Sequence, residues 1–561
     1  MPEACVCPSH VDLLVIGGVA AGTKAAAKAR RERPDLSIAI LTEGDHISYA
    51  VCGLPYYLAN IIRSRQELLV VQPDVFELQR DIRVFVRHRV TSMSAEAKTV
   101  QALDLNTNQS IEITYDKLIF ATGARPVVLP VPGIDLRGVT TLRTIADGDR
   151  VRAMLETGKV KSAVVVGGGF IGIETAEALT FAGVKTTIIE AKDHILNTFD
   201  RGIALLAQKH IQEKGVEVMT GTAVTGFTGG AKGELVAVET DRGPVEAQLA
   251  IVSVGVRPNV EVATAAGAKT GPTRALAVDD HMRTNLPDVY AAGDCCEVID
   301  LISGQPRWWP MGSTANKQGR VAGINVAGGD ESFPGVLGTQ VVRAFDFTVG
   351  KVGLGADEAR NAGFDIEVAT VPSDDIAHYY PGYRQITMKM IADRATGRLL
   401  GAQVVGEGIA DKPLDVCATA ITLGATVEQL KNLDVCYAPP FAPAMSVVNV
   451  AADVIDNKLK GRVTGIDPCE LQVRREAGTA PLLLDVRTEP EVLISSIPGV
   501  VNLPLDELSS RLGELNPDAE TVVVCKVGKR AYLGANKLRE AGFRDVKILD
   551  GGVTAWPFDL E

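Results

Sequence analysis

Two cysteines of the chain stand in sequence contexts that suit redox and sulfur chemistry, and Cys52 is the first of them. It lies in the segment SYAVCGLPYY, residues 48–57, at the predicted start of a helix, where unpaired backbone amides stabilise a thiolate. The sequence has no second cysteine four or five residues before Cys52, and Ser48 is the nearest polar residue there. Cys52 is therefore predicted to act as a single redox thiol that forms a mixed disulfide with a substrate.

Cys525 is the second cysteine, and it ends a predicted strand. The residues after it, CKVGKR, are expected to curl into a loop whose amides point at the sulfur, before a helix begins at Ala531. Amides, a helix N-terminus and nearby cations stabilise an anionic persulfide. The loop residues predicted to surround the sulfur are Lys526, Gly528, Lys529 and Arg530.

A glycine-rich turn, GGVAAG at residues 17–22, follows a strand and opens a helix of small residues. A turn in this context binds a pyrophosphate on the amides of the helix N-terminus. Val19 replaces the middle glycine of the G-x-G-x-x-G pattern, which weakens the match. Glu43 ends the next strand and is predicted to accept hydrogen bonds from a ribose.

A second turn matches the pattern fully through Gly167, Gly169 and Gly172. Glu190 stands at the end of the following strand, where a carboxylate binds the ribose 2′-hydroxyl of NADH and repels the extra phosphate of NADPH. Lys192 lies close enough in sequence to reduce that preference. The sequence thus predicts two dinucleotide sites.

Two further motifs, Ala121–Ala124 (ATGA) and Ala291–Asp294 (AAGD), complete a pattern that resembles the FAD/NAD-linked disulfide reductase family over residues 11–450. The resemblance implies that Asp294 binds the flavin ribityl chain and that the helix near Ala315 points its N-terminus at the flavin. The cofactor-binding residues expected in the two sites are Gly17, Ala20, Ala21, Gly22, Glu43, Thr122, Gly123, Asp294, Ala315, Gly167, Gly169, Gly172, Glu190 and Gly255.

The Cys52 segment resembles the single-cysteine coenzyme A-disulfide reductases, although Val51 stands where that family usually has Asn. HYYPG at 378–382 and VCYAPPFAPAMSVVNVAA at 435–452 match its tyrosine motifs. The resemblance implies a homodimer in which Tyr437 and one of Tyr379 or Tyr380 reach the partner's substrate sulfur. It also implies a CoA site formed by Lys28, Arg31, Ser48 and Arg80.

The C-terminal segment resembles a single-domain rhodanese through LLLDVRTEPE (482–491), SIPGVVNLPLDEL (496–508) and LDGGVTAW (549–556). Rhodaneses often have His before the I-P-G triplet, where this chain has Ser496. Because Cys525 is present, the resemblance implies an active sulfurtransferase.

Two other functions compete with the reductase. The first is an NADH oxidase or peroxidase that cycles Cys52 through a sulfenic acid. Such enzymes usually carry a His in the first glycine-rich turn, and this chain has none there. The second is a sulfane-sulfur carrier or sensor with little turnover. The sequence does not separate CoA disulfide, CoA or glutathione persulfide and polysulfide as substrates.

The elements that must position these residues predict an α/β protein. We expect an FAD-binding domain at 1–150 and 275–330, an NAD-binding domain at 151–274, an α+β dimerisation domain at 331–455, a linker at 456–468, and an α/β rhodanese domain at 469–561.

Composition bounds the partners. The net charge of −12 argues against nucleic acid, and the first ten residues show neither a basic start nor an apolar run, so we expect a soluble cytoplasmic protein without a membrane segment. No CxxC pair occurs, which argues against zinc. The cysteines expected to be ordinary reduced thiols are Cys5, Cys7, Cys295, Cys296, Cys417 and Cys469.

Overall fold

The computed structural model describes residues 7–561, so Cys5 lies outside the described residues. The chain divides into two compact units. The first unit holds the residues up to Gly167 together with Ala178–Lys185 and Val224–Val336, and the second holds Gly168–Glu177, Thr186–Ala223 and Leu337–Glu561. Within residues 7–561 no helix combines the length and hydropathy needed to span a membrane.

The N-terminal region begins with the predicted strand, helix and strand. Its strands are β1 (His10–Ile16), β2 (Ile38–Leu41), β3 (Arg83–Phe85), β4 (His88–Ser94), β5 (Thr99–Asp104), β6 (Gln109–Phe120), β7 (Ala124–Pro126) and β8 (Val139–Thr140). Its helices are α1 (Ala20–Glu32), α2 (Leu54–Leu58), α3 (Pro73–Arg80) and α4 (Ile145–Glu156). Strands β3, β2, β1 and β6 lie side by side in parallel, and β5 and β4 extend the sheet antiparallel.

The central region repeats the strand and helix pattern. Its strands are β9 (Ser162–Val166), β10 (Lys185–Ile189), β11 (Glu217–Met219), β12 (Val224–Gly229), β13 (Leu235–Thr240), β14 (Val245–Glu246), β15 (Leu249–Val252), β16 (Val256–Pro258), β17 (Val289–Ala291), β18 (Val298–Ile299) and β19 (Pro306–Arg307). Its helices are α5 (Phe170–Phe181), α6 (Arg201–Glu213), α7 (Glu261–Ala265) and α8 (Gly312–Val326). Strand β17 joins β6 in parallel, which returns this part of the chain to the first sheet.

Helices α1 and α8 pack against each other over the first sheet. Ala25 and Ala26 of α1 and Ala322 of α8 are buried in one cluster with Val15 and Ile40 of the sheet. The small side chains let the two helices approach closely, and both helices begin at the same end of the unit as the carboxyl ends of β1 and β17.

The third region is the predicted α+β domain. Its strands are β20 (Gln340–Ala344), β21 (Phe347–Gly353), β22 (Ile366–Asp374), β23 (Gln385–Asp393) and β24 (Leu399–Gly406), paired antiparallel in the order β20-β21-β24-β23-β22. Its helices are α9 (Ala356–Asn361), α10 (Asp411–Thr422), α11 (Val427–Leu430) and α12 (Val447–Leu459).

The C-terminal region has the five parallel strands β25 (Gly465–Ile466), β26 (Leu482–Asp485), β27 (Val501–Asn502), β28 (Thr521–Val524) and β29 (Val546–Leu549), in the order β25-β29-β28-β26-β27. Its helices are α13 (Pro468–Glu476), α14 (Glu489–Ile494) and α15 (Lys529–Glu540). Neighbouring residues of β28 enter different cores, Val523 beside α15 and Val522 beside Trp556. The sheet is therefore covered on both faces, as parallel sheets require.

The segment 456–468 is ordered in the structure. It contains the end of α12, strand β25, which joins the C-terminal sheet, and the first residue of α13. Lys458 in this segment is buried, because its side chain turns into the protein and forms an ion pair. The segment predicted as a linker therefore makes contacts between two packed regions.

Candidate active site

Cys52 lies in a single 3-10 turn, Val51–Gly53, directly before helix α2. Its side chain is exposed, while Leu54 after it is buried and anchors the helix. The segment is tied to the first glycine-rich turn because the Ser48 N–H donates to the Gly18 carbonyl at 2.9 Å. The structure thus places the thiol at a helix start, as the sequence predicted, and links its segment to that turn.

The first glycine-rich turn requires glycine at two positions because backbone passes against backbone. A Cβ on Gly17 would lie 2.1 Å from the Ala121 carbonyl oxygen, and one on Gly22 would lie 1.8 Å from the Gly17 oxygen. Val19 is the residue before α1, and Ala20 and Ala21 begin the helix. This compact turn leaves the amides at the start of α1 available for a phosphate, so it fits a dinucleotide despite Val19.

Glu43 follows β2 and pairs with Arg89 at 2.7 Å, an interaction that no sequence motif indicates. Both side chains are about half exposed. A ribose that binds Glu43 would therefore meet a carboxylate already oriented by an arginine.

Asp294 follows β17, and burial raises the pKa of its carboxyl while Arg143 opposes that rise. The Trp308 Nε1–H donates to the Asp294 carbonyl oxygen at 2.8 Å and fixes the backbone there. A partly buried carboxyl in a polar turn suits an alcohol ligand, as the ribityl chain of a flavin offers. Neither Arg143 nor Trp308 belongs to a sequence motif, and sequence reasoning missed both.

Thr122 is held by a reciprocal pair of hydrogen bonds with Asn259. The Thr122 hydroxyl donates to the Asn259 carbonyl at 2.6 Å, and the Asn259 side-chain amide donates to the Thr122 carbonyl at 2.8 Å. Ala315 lies in the first turn of α8 and is buried. The turn, the carboxyl and the two helix starts fit FAD, which would be held by the residues predicted for it.

In the second turn the Glu190 carboxylate accepts hydrogen bonds from Gly168 N at 2.8 Å and from Lys192 N at 2.9 Å. The side chain of Lys192 is exposed, so its backbone amide is what contacts Glu190. A Cβ on Gly169 would meet no atom within 4 Å, and the same holds for Gly255. Protein packing thus leaves the space beside Gly169 open.

Tyr379 and Tyr437 come together although 58 residues separate them, with 3.4 Å between their hydroxyl oxygens. Both rings are exposed, and the hydrogen bond with Tyr437 raises the pKa of Tyr379. Tyr380 is exposed as well, and the structure gives it no bond to Tyr437. The geometry therefore favours Tyr379 over Tyr380 as the partner of Tyr437.

A mostly apolar cleft lies next to Tyr437, and sequence reasoning missed it. It is lined by Cys436, Phe441, Lys412 and Ile409 among others. Cys436 is exposed, as are Phe441 and Ile409.

Two of the predicted CoA-binding cations, Arg31 and Arg80, are sequence neighbours of an ion pair. Arg30 of α1 pairs with Asp81 after α3 at 3.4 Å, and Arg31 and Arg80 flank these two residues in sequence. Arg31 and Arg80 are exposed. Lys28 is engaged by Glu32 one helical turn away, so its charge is partly neutralised.

Cys525 follows β28 and is buried, and the Gly528 N–H points at its sulfur at 3.1 Å. Helix α15 begins at Lys529, two residues earlier than predicted, since Gly528 with φ +104° ends the loop at once. Lys526 and Lys529 are exposed at this loop. The loop therefore presents the Gly528 amide to the sulfur, and two exposed lysines lie in the same loop.

Arg530 has a different role from these lysines. Its guanidinium donates two hydrogen bonds to the Glu491 carboxylate, at 2.7 and 2.6 Å. Arg530 holds the pKa of Glu491 down at about 2. The arginine braces the loop against α14, and sequence reasoning missed its partner.

Comparison with known proteins agrees with this division. Residues 11–319 match the pyridine nucleotide-disulphide oxidoreductase family, 339–448 match its dimerisation domain, and 467–557 match the rhodanese-like domain. The predicted architecture of FAD, NAD, dimerisation and rhodanese domains is thereby confirmed.

Several relatives extend over most of the chain. The NAD(P)H coenzyme A polysulfide/persulfide reductase of Pyrococcus horikoshii is 35% identical over 79% of this chain and 98% of its own length. A protein of Methanocaldococcus jannaschii named NADH oxidase is 34% identical over 80% of this chain and 99% of its own.

Two solved structures cover nearly the whole chain. A NAD-dependent persulfide reductase from A. fulgidus is 39% identical with a TM-score of 0.91, covering 97% of this chain and 99% of its own. The reduced CoADR-RHD of Bacillus anthracis is 33% identical with a TM-score of 0.92, covering 98% of both chains. The chain therefore belongs to the pyridine nucleotide-disulphide oxidoreductase family, which uses FAD and NAD(P)H, and it carries a rhodanese-like domain.

Proposed function

We propose that this protein is an NAD(P)H-dependent reductase of CoA disulfide, CoA persulfide or polysulfide, and that its rhodanese domain transfers sulfane sulfur. The observation that carries the proposal is the exposed Cys52 at a helix start, tied to the first dinucleotide turn through Ser48. The names of the relatives from P. horikoshii and A. fulgidus support a sulfur substrate.

FAD, when bound, supplies the two-electron carrier between the nicotinamide and Cys52. The Cys52 thiolate attacks the CoA sulfur of a persulfide, the S–S bond breaks, and hydrosulfide leaves as a mixed disulfide forms. Two electrons then return Cys52 and CoA to thiol or thiolate. The sum is NADH + H⁺ + CoA–S–SH → NAD⁺ + CoA–SH + H₂S, which balances.

The phenols supply the proton that a leaving sulfur needs. A phenol within hydrogen-bond distance of the leaving sulfur donates to it, and the pair of Tyr379 and Tyr437 offers two hydroxyls at one place. We place these phenols in the substrate site of a second copy of the chain, so the active enzyme is a homodimer with shared sites. The dimerisation domain and the exposure of Phe441 and Met445 near the phenols support this arrangement.

Cys525 carries the sulfane sulfur on the rhodanese domain. Its thiolate takes the outer sulfur of a donor and becomes a persulfide, which the Gly528 amide and the cations of Lys526 and Lys529 stabilise.

The test is NADH oxidation by the full-length protein with CoA disulfide, CoA persulfide and polysulfide compared at equal concentration. The same assay is run on the Cys52→Ser variant. Cys7→Ser is its control, because Cys7 is half-buried and outside both dinucleotide motifs. Sulfide release in step with NADH oxidation supports the proposal. A protein that oxidises no NADH with any of the three acceptors contradicts it.

A second candidate is oxygen or peroxide reduction through a Cys52 sulfenic acid, which the relative named NADH oxidase favours. Oxygen uptake with NADH alone, at a rate equal to that with persulfide, would support this candidate over the first. A sulfane-sulfur carrier or sensor would instead show sulfur transfer with negligible NADH consumption.

A further inference from the structure

Two of the three buried lysines of the second unit, Lys389 and Lys458, pair with carboxylates of the C-terminal region, and the proposed chemistry does not use them. Lys458 of α12 donates to Asp550, directly after β29, at 2.7 Å and to the Val368 carbonyl of β22 at 2.6 Å. Side-chain exposure is 3% for Lys458 and 8% for Asp550. Lys389 of β23 pairs with Asp200 at 2.9 Å and with Asp467, the residue before α13, at 3.1 Å.

Each lysine thus joins the dimerisation sheet to the rhodanese region. Burying an ion pair costs desolvation that a pair of apolar side chains would not, so such a pair contributes more to defining position than to stability. One contact would allow the rhodanese region to rotate about it, whereas two separated contacts fix its orientation.

The rhodanese region contacts β22 at successive positions along the strand, from Val368 to Asp374. Asp550 reaches β22 through Lys458 at Val368, and a Cβ on Gly551 would lie 3.4 Å from the Thr370 oxygen. At the end of the strand, the charges of Lys526 and His378 oppose a burial-driven rise in the pKa of Asp374.

The residues that follow Asp550 in the chain also hold the Cys525 loop, through two backbone hydrogen bonds. Val553 N donates to the Cys525 carbonyl at 2.9 Å, and Thr554 N donates to the Lys526 carbonyl at 3.0 Å. The path from Asp550 to the Cys525 loop therefore runs beside β22 toward Asp374, and the chain continues from there to Tyr379. At about 3.3 Å per residue, the strand from Val368 to Asp374 spans roughly 20 Å.

We infer that Lys458 and Asp550 are positioning residues, whose buried pair holds the Cys525 loop against β22 so that its persulfide faces the segment that carries Tyr379. The inference rests on the proposed function, since it takes Cys525 as the sulfur carrier and Tyr379 as part of the substrate site. Sulfur then passes to a thiol bound at that site without release of the rhodanese domain.

The transfer is written in two balanced steps. The Cys525 thiolate attacks the outer sulfur of thiosulfate, sulfite leaves, and a Cys525 persulfide forms. A CoA thiolate then bonds to the outer sulfur of that persulfide, and the electron pair of the broken S–S bond returns to Cys525. The CoA persulfide formed is the substrate that NADH reduces at Cys52.

The first experiment compares wild type with the double variant Lys458→Met/Asp550→Asn, which removes both charges and leaves no unpaired ion. Three rates are measured on the full-length protein: sulfur transfer from thiosulfate to cyanide, NADH oxidation with added CoA persulfide, and NADH oxidation driven by thiosulfate with catalytic CoA. We expect the first two within about twofold of wild type, and the kcat of the third at least tenfold lower with an unchanged KM for CoA.

A matched pair of glycine variants keeps the inference testable if the double variant fails to fold. A Cβ on Gly465 would lie 2.4 Å from Asp550 Oδ1 and 2.5 Å from Lys458 Nζ, so Gly465→Ala forces the pair apart. A Cβ on Gly513 in the same domain would meet nothing within 4 Å, so Gly513→Ala is the control. Gly465→Ala is expected to lower only the thiosulfate-driven rate, and Gly513→Ala to lower none.

A thiosulfate-driven rate that stays at wild-type level in both test variants overturns the inference. Equal losses in all three rates also overturn it, because the pair would then be a general structural element. If wild type itself oxidises no NADH with CoA persulfide, the proposed function has failed instead. Hydrogen exchange at Val553 and Thr554 then judges the pair alone, with faster exchange in Gly465→Ala than in Gly513→Ala supporting it.

Discussion

The two cysteines of this chain solve the same problem, a reactive sulfur, in different surroundings. Cys52 is exposed on a short helical turn, and its segment is fixed by a backbone hydrogen bond from Ser48 to Gly18. Cys525 is buried at the base of a loop, with the Gly528 amide 3.1 Å from its sulfur. An exposed thiol suits attack on a bulky disulfide, whereas an enclosed one suits holding a small persulfide anion.

Exchange of each cysteine for serine gives the largest expected effect and separates the two sites. Cys52→Ser should lower NADH-dependent reduction by more than about 1,000-fold and leave sulfur transfer from thiosulfate to cyanide unchanged, since serine cannot form the mixed disulfide. Cys525→Ser should abolish sulfur transfer from thiosulfate to cyanide and leave NADH-dependent reduction of small CoA substrates nearly unchanged. Cys7→Ser controls for loss of any cysteine. A Cys52→Ser protein with normal reductase turnover would make Cys52 structural.

The second-largest difference expected between the two sites comes from the phenols of Tyr379 and Tyr437, because only Cys52 is proposed to need an external proton donor. Tyr379→Phe and Tyr437→Phe should each lower kcat for persulfide reduction about 100-fold and spare sulfur transfer. Tyr383→Phe, an exposed tyrosine nearby, is the matched control. Steady-state kinetics decides between the tyrosines: a larger loss in Tyr380→Phe than in Tyr379→Phe would overturn the geometric assignment.

Only the reaction at Cys52 is proposed to use a nicotinamide, whereas sulfur transfer at Cys525 does not. Glu190→Gln keeps an oxygen that accepts from Gly168 N but removes the charge that repels a 2′-phosphate. The NADH over NADPH ratio of kcat/KM should fall roughly 5- to 30-fold, as expected for about 1–2 kcal/mol. The rhodanese rate serves as the internal control. An unchanged ratio would show that another group, such as Lys192, sets the preference.

Sequence motifs predicted the backbone of both sites well because the conformation of each motif depends mainly on residues that are close together in the chain. Close backbone contacts require glycine at positions 17 and 22. The position of Cys525 is set by strand β28, which ends directly before it. What the sequence did not reveal are partners distant along the chain: Arg89 for Glu43, Glu491 for Arg530, and Asp550 for Lys458. No local sequence pattern indicates which residue a charged side chain will pair with, so the sequence places Lys458 in a predicted linker.

The smallest expected effect concerns Glu491, which braces the Cys525 loop through Arg530. The pair is about one-third exposed, so its contribution to stability is at most about 1 kcal/mol. Because the folded pKa of Glu491, about 2, lies below its ordinary value, this contribution is present above about pH 4.5 and is lost as pH falls toward 2.

Glu491→Gln should remove that stability at neutral pH and flatten its pH dependence between about pH 4.5 and 2. The freed charge of Arg530 should also lower the KM for thiosulfate two- to fivefold, as expected for up to about 1 kcal/mol. Hydrogen exchange in α15 and sulfurtransferase kinetics measure the two effects. Glu514→Gln, which breaks a surface pair with Arg511 in the same domain, is the control. Because Cys52 is outside this loop, persulfide reduction should not change, and a parallel loss there would mean that the two sulfur sites are energetically coupled.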